Sequence, residues 1–175
     1  FYILDGSKAW ITNGSIADYL IVAAVTDKGK GAKGISLFLV EKDTPGFSAR
    51  RMRTVGWRCG NTAELTFEDC LVPRENLLGV ENQGFYHLMK CLNQGRVFVA
   101  ASALGVAQAA FEEALRYAQE RSQFGQAIGK FQAIRFKLAD MATELEIARH
   151  FVYRAAWMTD RGLPCAKECS MAKLF

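Results

Sequence analysis

Histidine and proline are scarce in this chain, with two and three copies among 175 residues. His87 and His150 stand alone, with no partner cluster around either, so they are expected to be satisfied or exposed rather than catalytic. Cysteine is present in an odd number, five, and none forms a C-x-x-C pair. Cys165 and Cys169 have the i,i+4 spacing of one helix face, but no histidine lies near enough to suggest a zinc site. Reduced thiols in a cytosol-like compartment are the expected state. No apolar run approaches the ~20 residues needed to cross a bilayer, so no transmembrane segment is expected. The opening Phe1-Tyr2-Ile3-Leu4-Asp5-Gly6 reads as a strand and turn, without the basic region or apolar core of a signal peptide. There is no initiator Met, and Met171-Ala172-Lys173-Leu174-Phe175 breaks off in a helical pattern with no stop signal. The chain therefore reads as a piece of a longer protein. A formal charge of +4 suits an anionic ligand, yet no basic tract of the kind expected for nucleic acid is present.

One motif fails on context. Gly29-Lys30-Gly31-Ala32-Lys33-Gly34 matches G-x-G-x-x-G literally, but the dinucleotide fingerprint needs glycines that follow a strand and open a helix. Here a strand pattern follows, Ile35-Ser36-Leu37-Phe38-Leu39-Val40. A mobile, lysine-bearing hairpin loop is the expectation, and no Rossmann domain.

What is present is a chain half hydrophobic, enough for one large domain or two small ones. Its two halves have different periods. Asp18 to Val25 and Gly34 to Val40 are apolar runs bounded by turn residues, and Ala63-Glu64-Leu65-Thr66-Phe67 alternates as a half-buried strand should. Short strands at near-regular spacing predict a small antiparallel sandwich or barrel over 1–79. From 83 on, a helical period takes over. Phe131, Ile134, Leu138, Met141, Leu145, Ala148, Val152 and Ala155 recur in steps of three and four, as do Ala100, Leu104, Ala107, Phe111, Ala114 and Ala118. Such heptad seams predict an antiparallel helical bundle. Asp160-Arg161-Gly162-Leu163-Pro164 should stop the longer helix. The fold class is α+β, with the domain boundary at Val72 to Gly79 and the helical domain over 80–175.

Three clusters carry possible chemistry. In Trp10-Ile11-Thr12-Asn13-Gly14, spacing alone prefers a buried Trp ending a hairpin. The functional alternative sets Trp10 against a flat ring, with Thr12 offering a donor to a ring nitrogen. The link Arg121 to Gln132 could be a helix C-cap, with Arg121 on the dipole and Gly125 closing the turn. That leaves Gln123, Phe124, Phe131 and Gln132 without a role, whereas amides and a guanidinium suit a pyrophosphate and an adenine edge. In Asn93-Gln94-Gly95-Arg96, Gly95 costs ~1 kcal/mol against Ala within a helix and suggests a junction or a close ligand approach. The residues alone favour Arg96 as an ordinary surface charge.

Taken together, Asp5 to Gly14, Thr44-Pro45-Gly46, Gly56-Trp57-Arg58, Asn61-Thr62, Phe67-Glu68-Asp69-Cys70, Val72 to Gly79, Gly95-Arg96, Arg121 to Gly125, Phe131-Gln132 and Leu138 to Thr143 resemble, in order, the middle and C-terminal part of an acyl-CoA dehydrogenase. Asn61 to Met89 is somewhat similar to the isovaleryl-CoA branch. The resemblance implies a central β domain, the first part of a four-helix bundle, FAD, an acyl-CoA thioester, electron transfer to an electron-transfer flavoprotein, and a homo-oligomer, usually a tetramer built as a dimer of dimers. It implies removal of an α proton by a carboxylate and passage of the β hydride to flavin N5, in a bacterial cytoplasm or a mitochondrial matrix. Trp10, Ile11 and Thr12 resemble the segment beside the isoalloxazine. Arg121, Ser122, Gln123, Phe124, Phe131 and Gln132 resemble the segment that reaches the FAD of a neighbouring subunit. Asn93, Gln94, Gly95 and Arg96 resemble the segment that contacts acyl-CoA, with Asn93 where the family often has Asp. The family's base is expected beyond Phe175, and the minority position before the matched arginine is Gly95, which cannot act as one. Glu112, Glu113, Glu144 and Glu146 read as solvated helix-face charges. Rival readings are an acyl-CoA oxidase-like flavoenzyme, a non-catalytic FAD-binding subunit of a mixed oligomer, and a fragment without turnover of its own.

Overall fold

The computed structural model describes all 175 residues and divides into two compact units, Phe1–Leu88 and Met89–Phe175. The first is built from strands β1 (Tyr2–Thr12), β2 (Tyr19–Val25), β3 (Ile35–Glu41), β4 (Phe47–Arg51), β5 (Thr62–Val72) and β6 (Leu77–Leu78). They form two antiparallel three-stranded sheets, ordered β1-β5-β4 and β2-β3-β6. Side chains alternate across a pleated strand, and the inward sets of both sheets meet in one core. Leu4, Ala63, Leu65, Phe67, Cys70 and Val72 come from the first sheet, and Leu20, Val22, Phe38 and Val40 from the second. This is the sandwich form of the expected architecture; the sheets remain separate and no barrel closes.

β2 and β3 pair as a hairpin across the glycine-rich stretch. The loop is wound as tight 3-10 turns over Lys28–Gly34, broken at Gly31, whose φ is +54°. Asp27 caps the turns by accepting from Gly29 N at 3.0 Å and pairing with Lys30 at 2.7 Å. Gly34 is obligatory here, because a Cβ would stand 1.9 Å from the Asp27 carbonyl oxygen. The buried hydroxyl of Ser36 is satisfied at 2.7 Å from Thr26 Oγ1 and by Asn82 N, which donates to it at 2.8 Å.

The second unit contains most of α1 (Gly84–Glu120), a short hairpin of β7 (Ser122–Gln123) and β8 (Gln126–Ala127), α2 (Gln132–Asp160) and α3 (Ala166–Leu174). The first turn of α1 belongs with the β unit, since Gly84 lies against the Ser36–Leu37 backbone, 2.7 Å from a would-be Cβ. The units thus divide later than the segment Val72 to Gly79, inside α1 itself. α1 and α2 run antiparallel: Gly129 lies against Ala118, and Arg149 Nη2 donates to Gln108 Oε1 at 2.8 Å. From the two seams, Ala100, Leu104, Ala118, Leu145, Val152 and Ala155 are buried, while Ala107 is exposed. Ala107 instead lines an apolar groove of about 410 Å³ with Leu104, Met141, Leu145, Val152 and Phe175.

α2 stops as its sequence predicts. Gly162 takes φ +66°, its N–H donates to Thr159 O at 3.0 Å, and Leu163 N donates to Met158 O at 3.0 Å. This pair of hydrogen bonds is a Schellman motif, with Gly supplying the left-handed residue. By length and composition α1 is apolar enough to cross a membrane. Its alanines and valines, interspersed with Ser102 and Gln108, raise the average without forming an unbroken apolar run.

Candidate functional site

The Trp10 corner departs from a regular strand. The β1–β5 register shifts between Lys8 and Ile11, and Trp10 occupies the left-handed region at φ +62°. A β-bulge of this kind re-aims a side chain. Trp10 is accordingly 69% exposed, which overturns the buried-Trp reading. Beyond the bulge, Ile11 returns to the core and Thr12 pairs with Thr62 at the exposed strand end. Asn13 (φ +59°) begins a turn, with Ile16 N and Ala17 N donating to its carbonyl. That turn does not close a hairpin, because β1 and β2 lie in different sheets. It is pinned to β5's approach instead: Asn13 N donates to Asn61 O at 2.6 Å, and Ser15 Oγ to Asn61 Oδ1 at 2.5 Å. Gly14 is buried, and a Cβ there would meet Leu65 Cδ2 at 2.9 Å.

The first half of the link Arg121 to Gln132 is a β-hairpin rather than a helix cap, and Ile128–Lys130 is a 3-10 turn leading into α2. Ser122 pairs with Ala127 and Gln123 with Gln126. Phe124 (φ +49°) and Gly125 (φ +78°) form the two-residue tip, the geometry of a type I′ turn. Asn commonly fills the first position of such turns, so a phenylalanine there is strained, and its ring is 93% exposed. It meets Phe131 edge-to-face at 6.3 Å. Arg121, Ser122, Gln123 and Gln132 are exposed, and the Arg121 guanidinium pairs with no carboxylate of the chain. Two aromatic rings, two amides and a free guanidinium therefore project from one short segment.

Asn93 to Arg96 lie within α1, which passes through Gly95 without a break. The expected helix junction is absent, and open space faces a Cβ at Gly95. Asn93 Oδ1 accepts from Arg96 Nη1 at 2.6 Å, so Arg96 is oriented by its neighbour rather than free. From Arg96 to Arg121 the helix rises about 38 Å at 1.5 Å per residue, so these clusters do not meet within one chain. Three of the glutamates expected to be helix-face charges are paired on exposed faces: Glu112 accepts from Gln108, Glu113 from Arg116 and Glu146 from Arg149. Glu144 sits at the rim of the apolar groove. Sequence reasoning did not single out Trp57 as a site residue, whose φ is +52° and which is 82% exposed beside a small arginine-lined cleft of Arg51, Arg53 and Arg58. The pair Gly56-Trp57 was the available signal, a glycine beside a large ring in a turn.

Residues 82–175 match the model of the acyl-CoA dehydrogenase C-terminal domain, and residues 1–70 that of the acyl-CoA dehydrogenase middle domain. The chain belongs to the acyl-CoA dehydrogenase family. It is 53% identical to an acyl-CoA dehydrogenase of Bacillus subtilis, over 99% of this chain and 46% of the relative. It superposes on butyryl-CoA dehydrogenase from Megasphaera elsdenii with a TM-score of 0.92 at 47% identity, covering 98% of this chain and 45% of the other. A chain in a structure described as an electron transferring flavoprotein of Acidaminococcus fermentans gives a TM-score of 0.92 at 50% identity, covering 98% and 45%. The chain thus spans about half the length of the relatives it matches.

Proposed function

We propose that the protein containing this chain is an FAD-dependent acyl-CoA dehydrogenase, which desaturates an acyl-CoA thioester between its α and β carbons. The observation that carries this reading is Trp10, an exposed indole held at positive φ by a bulge. Strain of this kind, costing about 1–3 kcal/mol, persists only where the surroundings enforce it and is concentrated at functional sites. The residues present fit a flavin. Trp10 offers a flat face to a ring system, Thr12 a donor at the strand end, and Ile11 anchors both to the core. Arg121, Ser122, Gln123 and Gln132 offer charge and hydrogen bonds suited to a pyrophosphate, and Phe124 and Phe131 offer ring faces. When bound, the flavin would accept the β hydride.

The chain's own residues have three tasks in this reading. Trp10 covers one ring face and excludes water, which keeps a reactive centre dry. The β7–β8 hairpin holds the cofactor of a second subunit, which accounts for its binding groups projecting away from its own helices and makes the assembly an oligomer. Asn93 and Arg96 form a preoriented polar pair for the thioester substrate, with the bare Gly95 allowing close approach. The proton-abstracting carboxylate is supplied by another part of the protein. Electrons then leave to an electron-transfer flavoprotein. The reading applies equally in a bacterial cytoplasm or a mitochondrial matrix.

The test is an absorbance spectrum of the full-length protein followed by anaerobic titration with acyl-CoAs of increasing chain length. A flavin band bleached by one of them is the expected result. A colourless protein that takes up no added FAD would overturn the assignment. Oxygen consumption without an added acceptor would move it to the oxidase class.

A further inference from the structure

The five cysteines fall into unlike settings. Cys59 and Cys91 are exposed and separate, and Cys70 is alone in the sandwich core. Cys165 and Cys169 are different: their sulfurs lie 3.6 Å apart, with Cys169 the donor. Thr159 Oγ1 lies 3.5 Å from one sulfur and 4.0 Å from the other. Cys165 is half-buried and immediately precedes α3, with φ −137° and ψ 17°. Cys169 is fully buried one turn further on.

We propose that Cys165 and Cys169 form a reversible dithiol–disulfide site, opened from solvent through Cys165 and closed by Cys169. Three features of the geometry carry this. The sulfurs are in contact, so bond formation at ~2.05 Å needs an approach of only about 1.5 Å. Cys165 is not helical, so its side chain can rotate toward α3 without meeting a preceding helical turn. Only Cys165 is accessible, which sets the order of events. The Cys169 thiol is held above its ordinary value by burial and then by its bond to Cys165, so it stays protonated and is the slower sulfur.

The co-reactant is a low-molecular-weight disulfide such as oxidised glutathione. The Cys165 thiolate attacks one of its sulfurs and expels one thiolate, leaving a mixed disulfide on Cys165. Cys169 gives up its proton to that leaving thiolate or to solvent. Its sulfur then attacks Cys165 Sγ and expels the second thiolate. Two protein thiols lose two electrons and two protons in total, and one small disulfide becomes two thiols. The ring closed is short, so the bond adds little chain-entropy stabilisation. Its effect is local: it ties the Gly162-Leu163-Pro164 turn to the first turn of α3.

The sequence provides its own readout, because Lys167 lies between the two cysteines. Tryptic cleavage puts Cys165 in Gly162–Lys167 and Cys169 in Glu168–Lys173. The full-length protein, reduced and then freed of reductant, is incubated with excess oxidised glutathione, quenched with an alkylating agent, digested and analysed by mass spectrometry. The expected product is the two peptides joined, lighter than their sum by two hydrogen atoms and separated again by reductant. In Cys169→Ala a stable glutathione adduct should accumulate on Cys165. In Cys165→Ser, Cys169 should remain a free thiol. The proposal is overturned if both peptides stay unlinked while Cys59 and Cys91 are modified, or if the wild-type adduct on Cys165 persists without closing.

Discussion

The two units are stabilised to different degrees by their own residues. In the sandwich, Phe38, Ala63 and Cys70 have no exposed surface, and inward residues from both sheets close on one another. In the helical unit the buried cluster is built largely of small side chains, Ala100, Ala155, Cys169 and Ala172, and an apolar groove stays open beside it. Small residues let helices approach closely but bury little area each, whereas a sandwich of Leu, Val and Phe buries much. Burial contributes about 25 cal/mol per Å² of apolar surface, so the first unit should respond more sharply to loss of volume than the second.

The sharpest way to break that comparison is a matched pair of truncations. Phe38→Ala should cost about 3–5 kcal/mol, because a closed core cannot collapse around the lost ring. Leu145→Ala should fall near the lower end of the ~2–5 kcal/mol range for such changes, because its side chain lines the open groove. Denaturant melts of both variants check this, and equal losses would show that the groove is covered in the intact protein.

A second pair uses glycines. Gly46 has φ +84°, and a Cβ there would stand 2.3 Å from Glu68 O. Gly46→Ala should therefore cost at least about 3 kcal/mol, combining left-handed strain with a backbone clash. Gly95 lies in a helix with open space around it, so Gly95→Ala should raise stability by about 1 kcal/mol. If the acyl-CoA approaches this face, the same variant should lose substrate affinity while gaining stability. A gain in stability with unchanged KM would remove Gly95 from the substrate site.

These contrasts also explain what could be read from the sequence. Strands β2 and β3 are apolar runs between turn residues, β5 alternates, and α2 follows a heptad seam, so these elements were visible without any partner. Gly162 before Leu163-Pro164 announced the helix stop. The Trp10 bulge was not visible, because it is created by register with β5, which lies far along the chain. The β7–β8 hairpin was hidden by composition: Phe124 occupies a position where turn rules look for Asn or Gly, and its flanking strands are two residues each. In both places local preference fails, and both coincide with the residues that resemble the flavin-binding segments. Such conflicts between local and global preference are expected at functional sites.

The two strained aromatics allow a finer test. Trp10→Gly and Phe124→Gly both relieve a left-handed side chain, and neither removes a buried contact. Each should change stability by no more than about 1 kcal/mol, in the stabilising direction. Flavin retention should fall in both, by direct loss of ring cover in the first and by loss of the hairpin tip's ring in the second. Mixing the two variants in one oligomer sharpens this. If the hairpin serves a neighbour's cofactor, the mixture should contain some intact sites and recover part of the flavin absorbance that each variant alone has lost.

The smallest effect belongs to the β2–β3 loop. The Lys30 ammonium beside Asp27, aided by Gly29 N, holds the Asp27 carboxyl below its ordinary value of 3.8. A group depressed in the folded state contributes stability above its unfolded pKa and loses it as pH falls through the folded value. The pair is exposed, so screening by water and salt leaves it weak. Acidification below about pH 4 should therefore loosen the Lys28–Gly34 turns while the sheets stay intact. Amide exchange at Gly29 would report this. Asp27→Asn should make exchange at Gly29 insensitive to pH over that window, after correction for intrinsic rates, and an unchanged acid response in the variant would assign the loosening to another carboxylate.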